Sequence, residues 1–455
     1  MPSPPTPDLA ALAAIVGPDQ VVTDPDVLLG YEVDWTGRFR GHAAAIVRPG
    51  TVDEVAAIVG WCAAHGVAIV AQGGNTGLVG GGVPVGAAEG AVVLSLRRLD
   101  RLPPVDALAG QLTAGAGVTL AALHAHVAAA GWAFGVDLAA RDSATVGGMV
   151  ATNAGGVRVL RHGAMRAQVL GVEAVLGDGT VVRHLDGLVK DNTGYDLAGL
   201  LVGSEGTLGV VTAARLRLVP APPDRLVVLA GVPTVDEAMA LAAALRAGVD
   251  GLDAIEAVLG DGIELVVGQL GLPAPISGQY GVSLVVEWAG RGDPPDVLGE
   301  LLAPYPSAAA TDDAGRARLW RYREAMAEAI ARVGVPHKLD VTLPASGLAA
   351  FASAVPGVIT TAAPAARVHL FGHLGDGNLH VNITGVDPDD DTVDEAVLGL
   401  VARHGGSISA EHGIGRAKAP WLGLSRSAEE IAAFRAIKRA LDPAGILNPG
   451  AIFTD

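Results

Sequence analysis

Asparagine and lysine are scarce in this chain: six of the first (Asn75, Asn153, Asn192, Asn378, Asn382, Asn448) and four of the second (Lys190, Lys338, Lys418, Lys438) among 455 residues. Aromatic residues make up only 4% and cysteine occurs once, as Cys62. A single cysteine excludes an intramolecular disulfide framework and fits a reducing compartment. It stands in a helix-like run, TVDEVAAIVGWCAAHG, where it reads as a small buried hydrophobe rather than a reactive thiol. No uninterrupted apolar run of about 18 residues occurs, and the start, MPSPPTPDLAALAA, lacks the basic stretch that opens a secretory leader. A cytoplasmic protein without a transmembrane segment is therefore expected. Positive charge is short as well: 31 Lys and Arg face 48 Asp and Glu, a net charge of −17. Such a field repels phosphate backbones and anionic membranes, which argues against nucleic acid as a partner and makes each basic residue inside a motif informative.

What is present is length, apolar residues and glycine. With half of its residues hydrophobic, the chain can bury more than one core, and about 150 residues per domain gives two or three units. The segments 44–49 (AAIVRP), Val52 to His65 and 67–72 (VAIVAQ) read as β-α-β. VLGVEAVLGDGTVVRHL reads as two strands about a Gly-Asp-Gly turn, and TLGVVTAARLRLVP as a strand ending at Pro220. PAPPD (220–224) marks a boundary. Beyond it, helix-like runs (234–247, 313–332, 391–404, 427–441) alternate with strand-like ones (RLVVLAG, YGVSLVVEWAG, ARVHLFGH, LHVNITG), the pattern of an α+β domain.

Three glycine-rich segments adjoin the strands of the first half. In AQGGNTGLVGGGVP (71–84) six glycines fall within ten residues directly after a strand, so backbone N–H groups can approach a pyrophosphate with no side chain between. Neither a Walker lysine-serine pair nor a G-x-G-x-x-G turn is present. The others are 141–180, which contains RDSATVGGMVATNAGG, and 190–212, KDNTGYDLAGLLVGSEGTLGVVT. All six asparagines lie in glycine-rich segments, which turn propensity alone also explains.

In the second half, VHLFGHLGDGNLHVNITG can be read as a hairpin. A two-residue type I′ turn at Asp376-Gly377 pairs 375 with 378, 374 with 379 and His373 with His380, so that two imidazoles face each other across neighbouring strands. Asn382 falls on the same face, as does His369, read as structural or supporting. The segment SAEHGIGRAK adds Glu411 and His412 at one point. Two histidines and a carboxylate leave coordination positions open and suit a catalytic metal: Zn first, with Mn, Co or Fe also compatible. The run LWRYREAMAEAIARVGVPHKLDVTLP, read as helical, supplies Arg323 and Lys338 for an anionic substrate; a surface i,i+4 pair for Arg323 and a solvated Lys338 are the alternatives.

The three glycine segments together resemble the FAD domain of the vanillyl-alcohol oxidase and p-cresol methylhydroxylase superfamily. QGGNTGLVGG is similar to its branch of D-2-hydroxyglutarate dehydrogenases, D-lactate dehydrogenases and glycolate oxidase D subunits, and the likeness runs over nearly the whole chain. The resemblance implies an N-terminal helical segment (1–40), a two-subdomain FAD-binding domain of the p-cresol methylhydroxylase type (41–220), an α+β, ferredoxin-like, substrate- and metal-binding domain (221–444) and a C-terminal return to FAD (445–455). It implies that Gln72, Gly73, Gly74, Asn75, Thr76 and Gly77 cradle the pyrophosphate. Leu138, Ser143, Gly147, Gly148, Thr152, Asn153 and Gly156 would line the rest of the dinucleotide, with Glu205, Gly209 and Val211 near the flavin or its ribityl chain and Asn448 returning from the C-terminus. The first loop holds no His or Cys for covalent attachment, so the implied FAD is non-covalent; His162 and His184 are read as ordinary histidines. By the same carry-over His373, His380 and Glu411 are metal ligands, His412 the base, Asn382 a substrate contact, and Arg323 and Lys338 substrate anchors. Four residues after Arg323 the group tends to carry threonine where this chain has Ala327, which leaves D-2-hydroxyglutarate, D-lactate and D-malate open. The implied activity is D-2-hydroxy-acid oxidation with electrons passed to an electron-transfer flavoprotein or a quinone, and a homodimer is allowed. Two other readings remain: an FAD-binding subunit of a glycolate-oxidase-like complex, and a metal hydrolase built on His373, His380 and Glu411 alone.

Overall fold

The computed structural model describes residues 7–454. Packing divides them into two compact units. The first takes the chain through Gly156, then Gly163–Ala221 and Glu411 onward; the second takes Val157–His162 and Pro222–Ala410. The segment 411–444, assigned from sequence to the substrate domain, thus clusters with the first unit, and the boundary in PAPPD falls between Ala221 and Pro222.

The first unit holds two four-stranded sheets. One has the order Val21–Val22, Ala45–Val47, Val92–Ser95, Ile69–Gln72, with the last three strands parallel. Parallel neighbours need a crossover, and the helix Val52–His65 supplies it. Thr51 caps its start by accepting the Glu54 N–H, and Gly66, at φ 66°, ends it in the left-handed region that glycine adopts without cost. Val55, Ile58, Val59 and Cys62 form its buried stripe at helical spacing. Burial pushes the Cys62 thiol up to about 12, so it packs as an inert hydrophobe. The other sheet is antiparallel, in the order Gln111–Gly115, Val210–Arg217, Val169–Val175, Val181–His184. Each sheet has its own core, the first around Ile58, Ile69 and Leu94, the second around Leu112, Phe134 and Met149.

The second unit is a seven-stranded antiparallel sheet, in the order Ser307–Ala310, Asp224–Val232, Val282–Gly290, Leu252–Leu259, Arg367–His373, Asn378–Thr384, His337–Thr342. Helices Gly262–Leu270, Asp313–Glu324 and Met326–Ala331 pack on one face against Val227, Leu229, Ala254, Val258 and Phe371. Helices Val235–Gly248, Ala345–Ala362 and Thr392–Arg403 pack together with the sheet as well. Among the described residues Ala345–Ala362 is one helix long and apolar enough to cross a membrane by length and composition; its stripe Leu348, Phe351, Ala352, Val355, Ile359 is buried in this unit.

Two expectations change here. Lys338 does not lie on a helix: the helix ends at Ala331, and Gly334 and Pro336 stop it before the strand His337–Thr342. The hairpin also has a different register, with Phe371 opposite His380 and His369 opposite Asn382. A type I′ turn needs positive φ at both central residues, and of the pair only Gly377 has it, at 84°. A four-residue loop, 374–377, joins the strands instead. The slip is two residues, so side-chain parity survives and His373 and His380 stay on one face.

Candidate active site

In the first unit, loops expected to hold a dinucleotide meet through their backbones. Gln72 closes the strand Ile69–Gln72, and its amide donates to the carbonyls of Tyr31 and Gly82 at 2.9 and 2.7 Å. A Cβ on Gly73 would stand 2.1 Å from Thr145 Oγ1, and one on Gly74 would stand 1.9 Å from the Ser143 carbonyl. Only glycine permits the 72–77 loop to lie so close to the 143–148 segment. Asn75, Asn153 and Asn448 all adopt left-handed φ (54°, 50°, 44°), and each amide then serves as a tie: Asn75 to Val33 O, Asn153 to the Arg166 N–H, Asn448 to the carbonyls of Gly81 and Glu205. Turn chemistry and site-building are one property in these three residues.

Gly147 abuts Ala116, and Thr152 donates its hydroxyl to Gly148 O. Gly156, at φ 99°, passes so near Asp137 and Leu138 that a Cβ would lie 2.0 Å from the Asp137 carbonyl. Gly77 has nothing within 4 Å of its Cβ position, which leaves that face of the loop open. Gly209 packs against Leu201, and Val211 is buried in the second core.

Glu205 has a job the sequence did not reveal. Its carboxylate accepts the Ile414 and Gly415 N–H groups at 2.8 and 2.7 Å, which fixes the turn just after Glu411 and His412. Burial raises this carboxyl above its usual range, against the opposing pull of the two N–H groups and the charges of Lys418 and Arg416. Glu411 in turn accepts the Gly156 N–H at 2.6 Å, and His412 Nε2 lies 3.8 Å from its other oxygen.

The second unit gathers side chains instead. His373 Nδ1 is 2.6 Å from Glu256 Oε1, and Glu256 Oε2 is 2.8 Å from Arg323 Nε. Arg323 also lies over the Phe371 ring, 4.6 Å from its centroid, so it is buried and ion-paired rather than part of a surface i,i+4 pair. Burial alone would raise the Glu256 carboxyl; His373 and Arg323 outweigh it and hold the group below its usual range. Across the hairpin, His380 Nδ1 lies 3.3 Å from Asp340 Oδ1, and Asp340, wholly buried, also receives the Asn378 amide at 2.7 Å and the Ala410 N–H at 3.1 Å. Ala410 immediately precedes Glu411 in the chain.

Both imidazoles thus turn Nδ1 toward a carboxylate and bring their Nε2 atoms together, 3.3 Å apart. With the protons held on Nδ1, two lone pairs face each other at that distance, an arrangement a cation relieves. Two metal–nitrogen bonds of about 2.1 Å opened to roughly 105° span this separation. The residues present fit a divalent metal. Beside them on the same face, Asn382 stands between His369 and Lys338 in cross-strand register. Burial lowers the Lys338 ammonium to about 8.

Sequence reasoning missed Glu256 and Asp340. The available signal was a carboxylate flanked by apolar strand residues, in AIEAVL and in LDV. Of the two histidines set aside as attachment points, His162 lies 3.8 Å from Asp253 and His184 is half-exposed, 3.3 Å from Asp191.

Comparison with known proteins places the chain among flavin-linked oxidoreductases. The family described as FAD linked oxidases, C-terminal domain, matches residues 221–452, and the FAD binding domain family matches 43–184. The chain belongs to the FAD-linked oxidase family. It is 40% identical to a D-2-hydroxyglutarate dehydrogenase of Xanthomonas citri pv. viticola, over 98% of this chain and 97% of that one. It is 40% identical to the mitochondrial D-2-hydroxyglutarate dehydrogenase of Bos taurus, over 97% and 82%, and 34% identical to a putative mitochondrial D-lactate dehydrogenase of Schizosaccharomyces pombe, over 97% and 89%. Among solved structures it resembles 4-ethylphenol oxidase from Gulosibacter chungangensis (TM-score 0.75, 19% identity, 98% and 96% covered) and p-cresol methylhydroxylase (TM-score 0.74, 17%, 98% and 96%). The expected p-cresol methylhydroxylase-type fold is borne out.

Proposed function

We propose that this chain is an FAD- and divalent-metal-dependent dehydrogenase that oxidises a D-2-hydroxy acid to the 2-oxo acid. The observation that carries the reading is the pair of Nε2 atoms 3.3 Å apart, each ring oriented by a buried carboxylate. The 34–40% identical relatives support it. His373 and His380, with Glu411, would hold the ion, Zn being the first expectation for two imidazoles and a carboxylate. When bound, FAD supplies a two-electron acceptor for the α-hydride and the ion makes the substrate hydroxyl easier to deprotonate.

The chain's own residues do the rest. His412 accepts the hydroxyl proton. Arg323, locked by Glu256 and Phe371, and Lys338, on its strand, supply the positive charge that an anionic substrate needs against the acidic field of the whole molecule. Asn382, buried and directly opposite Lys338 in register, adds a neutral donor. Holding the substrate carboxylate fixes the C–H bond for transfer. An electron-transfer flavoprotein or a quinone would reoxidise the flavin, which the loops Gln72–Gly77 and Ser143–Gly156 hold without a covalent bond.

Anaerobic flavin reduction across a panel of D- and L-2-hydroxy acids tests this. The D-acids should bleach the flavin. His380→Ala should keep its flavin and fail to be reduced, and Arg323→Ala should lose apparent affinity for the acids. Reduction of His380→Ala at the wild-type rate would remove the metal from the mechanism.

A further inference from the structure

The turn that carries Glu411 and His412 has no regular structure of its own. Residues 408–418 lie in no helix or strand, so the backbone N–H groups of the turn need partners from elsewhere. Those of residues 414–418 find them in three places. Arg416 and Ala417 donate to the Val79 carbonyl at 2.9 and 3.1 Å, and Lys418 returns to Ile414 O at 3.0 Å. Ile414 and Gly415, the two nearest His412, depend on a single side chain: Glu205 takes one N–H on each carboxylate oxygen. Gly413 and Gly415 adopt φ 87° and 52°, and a Cβ on Gly413 would stand 2.8 Å from Glu205 Oε1. Carboxylate and turn are therefore pressed together where glycine alone leaves room.

Glu205 is itself fixed at both ends of its backbone. It is a non-glycine residue at φ 51°, a conformation that persists only where the surroundings over-determine it. Its N–H donates to Ala151 O at 2.8 Å, and its carbonyl accepts the Asn448 amide at 2.8 Å.

We propose that Glu205 is a positioning residue for His412, acting on the reaction by holding the backbone from which the base projects. The inference rests on the reading of the chain as a D-2-hydroxy-acid dehydrogenase with His412 as base, and deepens it. Only Gly413 separates His412 from the first N–H that Glu205 binds, so a displaced turn carries the imidazole with it. Glu411 has a separate tie, the Gly156 N–H at 2.6 Å, and depends less on Glu205. A base must meet the hydroxyl proton at hydrogen-bond distance, and a misplacement of about 1 Å costs about 100-fold in rate.

The test is a double-mutant cycle on anaerobic flavin reduction in wild type, Glu205→Gln, His412→Ala and the double variant. The reductant is whichever of D-2-hydroxyglutarate, D-malate and D-lactate reduces wild type fastest. Bound flavin and metal are quantified, and 2-oxoglutarate affinity is read by spectral titration of the flavin. Glu205→Gln keeps one acceptor and turns an amide N–H toward the other backbone donor. It should keep its flavin and metal, stay within about threefold of wild type in 2-oxoglutarate affinity, and lose about tenfold to hundredfold in reduction rate. In the His412→Ala background the same substitution should change the rate by less than about twofold, since the group it acts through is gone. If Glu205→Gln does not fold, Glu205→Asp takes its place in the cycle, keeping both acceptors on a side chain one methylene shorter. Losses that multiply in the double variant, a wild-type rate in the Glu205 variant, or a loss of flavin or metal would overturn the positioning role and leave the dehydrogenase standing. Reduction of His412→Ala at the wild-type rate, or a wild-type flavin that no D-2-hydroxy acid reduces, would overturn the parent reading and this inference with it.

Discussion

The two units prepare their ligand sites by opposite means. In the first, backbone does the work: glycines 73, 74 and 156 lie so close to a neighbouring hydroxyl or carbonyl that a Cβ would stand 1.9–2.1 Å from it, and three asparagines take left-handed φ to turn the chain. In the second, buried side chains run from Arg323 through Glu256 to His373 and His380, and on to Asp340 and Asn378. A backbone site tolerates loss of a side chain but not gain of a methyl group. A side-chain network has the reverse sensitivity, because each partner removed strands a desolvated charge.

That contrast can be broken by experiment. The largest effect is expected from Glu256→Ala, which leaves the Arg323 guanidinium buried without its partner and frees the His373 ring. Chemical denaturation should show a loss of about 3–5 kcal/mol, and metal content should fall about 10–100-fold in affinity, while bound flavin is retained. A variant that loses flavin along with metal would show that the two sites are not independent.

Gly74→Ala tests the other side. A Cβ placed 1.9 Å from the Ser143 carbonyl forces the loop apart, and a loss of about 1–3 kcal/mol is expected. The purified protein should be pale by flavin absorbance yet bind metal normally; a fully yellow Gly74→Ala would contradict the close-packed cradle.

The smallest effect concerns Lys338. Its ammonium titrates near 8, down from 10.5 because burial disfavours the charge. The folded chain releases this proton at a lower pH than the unfolded chain, so between about pH 8 and 10.5 the unfolded state binds more protons and stability gains from this residue as pH rises. Binding goes the other way. Apparent KM for the acid substrates should rise as pH passes 8, and Lys338→Arg, which stays charged, should flatten that rise in steady-state profiles. An unchanged profile in Lys338→Arg would take Lys338 out of the substrate site.

How legible each unit was follows from the same contrast. Glycine loops and a helix stripe such as Val55, Ile58, Val59, Cys62 are local, so Val52–His65 and the 71–84 loop could be read directly. His373 and His380 were readable as a pair because parity in a hairpin survives a shift of two residues, even though the turn type was not the expected one. Lys338 lies on a strand although the run before it has a helical pattern, because Gly334 and Pro336 end the helix first. Glu256 was invisible: 117 residues separate it from His373, and nothing local marks a strand carboxylate as the partner of a distant imidazole.

By itself, then, the sequence determined the segments that bend, the stripes that bury and the residue types able to hold a nucleotide and an ion, since all of these depend on neighbours within a few positions. Only the tertiary structure decided which carboxylate orients which imidazole, that Arg323 is spent partly on Glu256, and that Glu205 clamps the turn after His412. Those choices depend on strand order and register across the sheet and on long-range loop packing, where residues far apart in sequence come within hydrogen-bonding reach once water has been excluded.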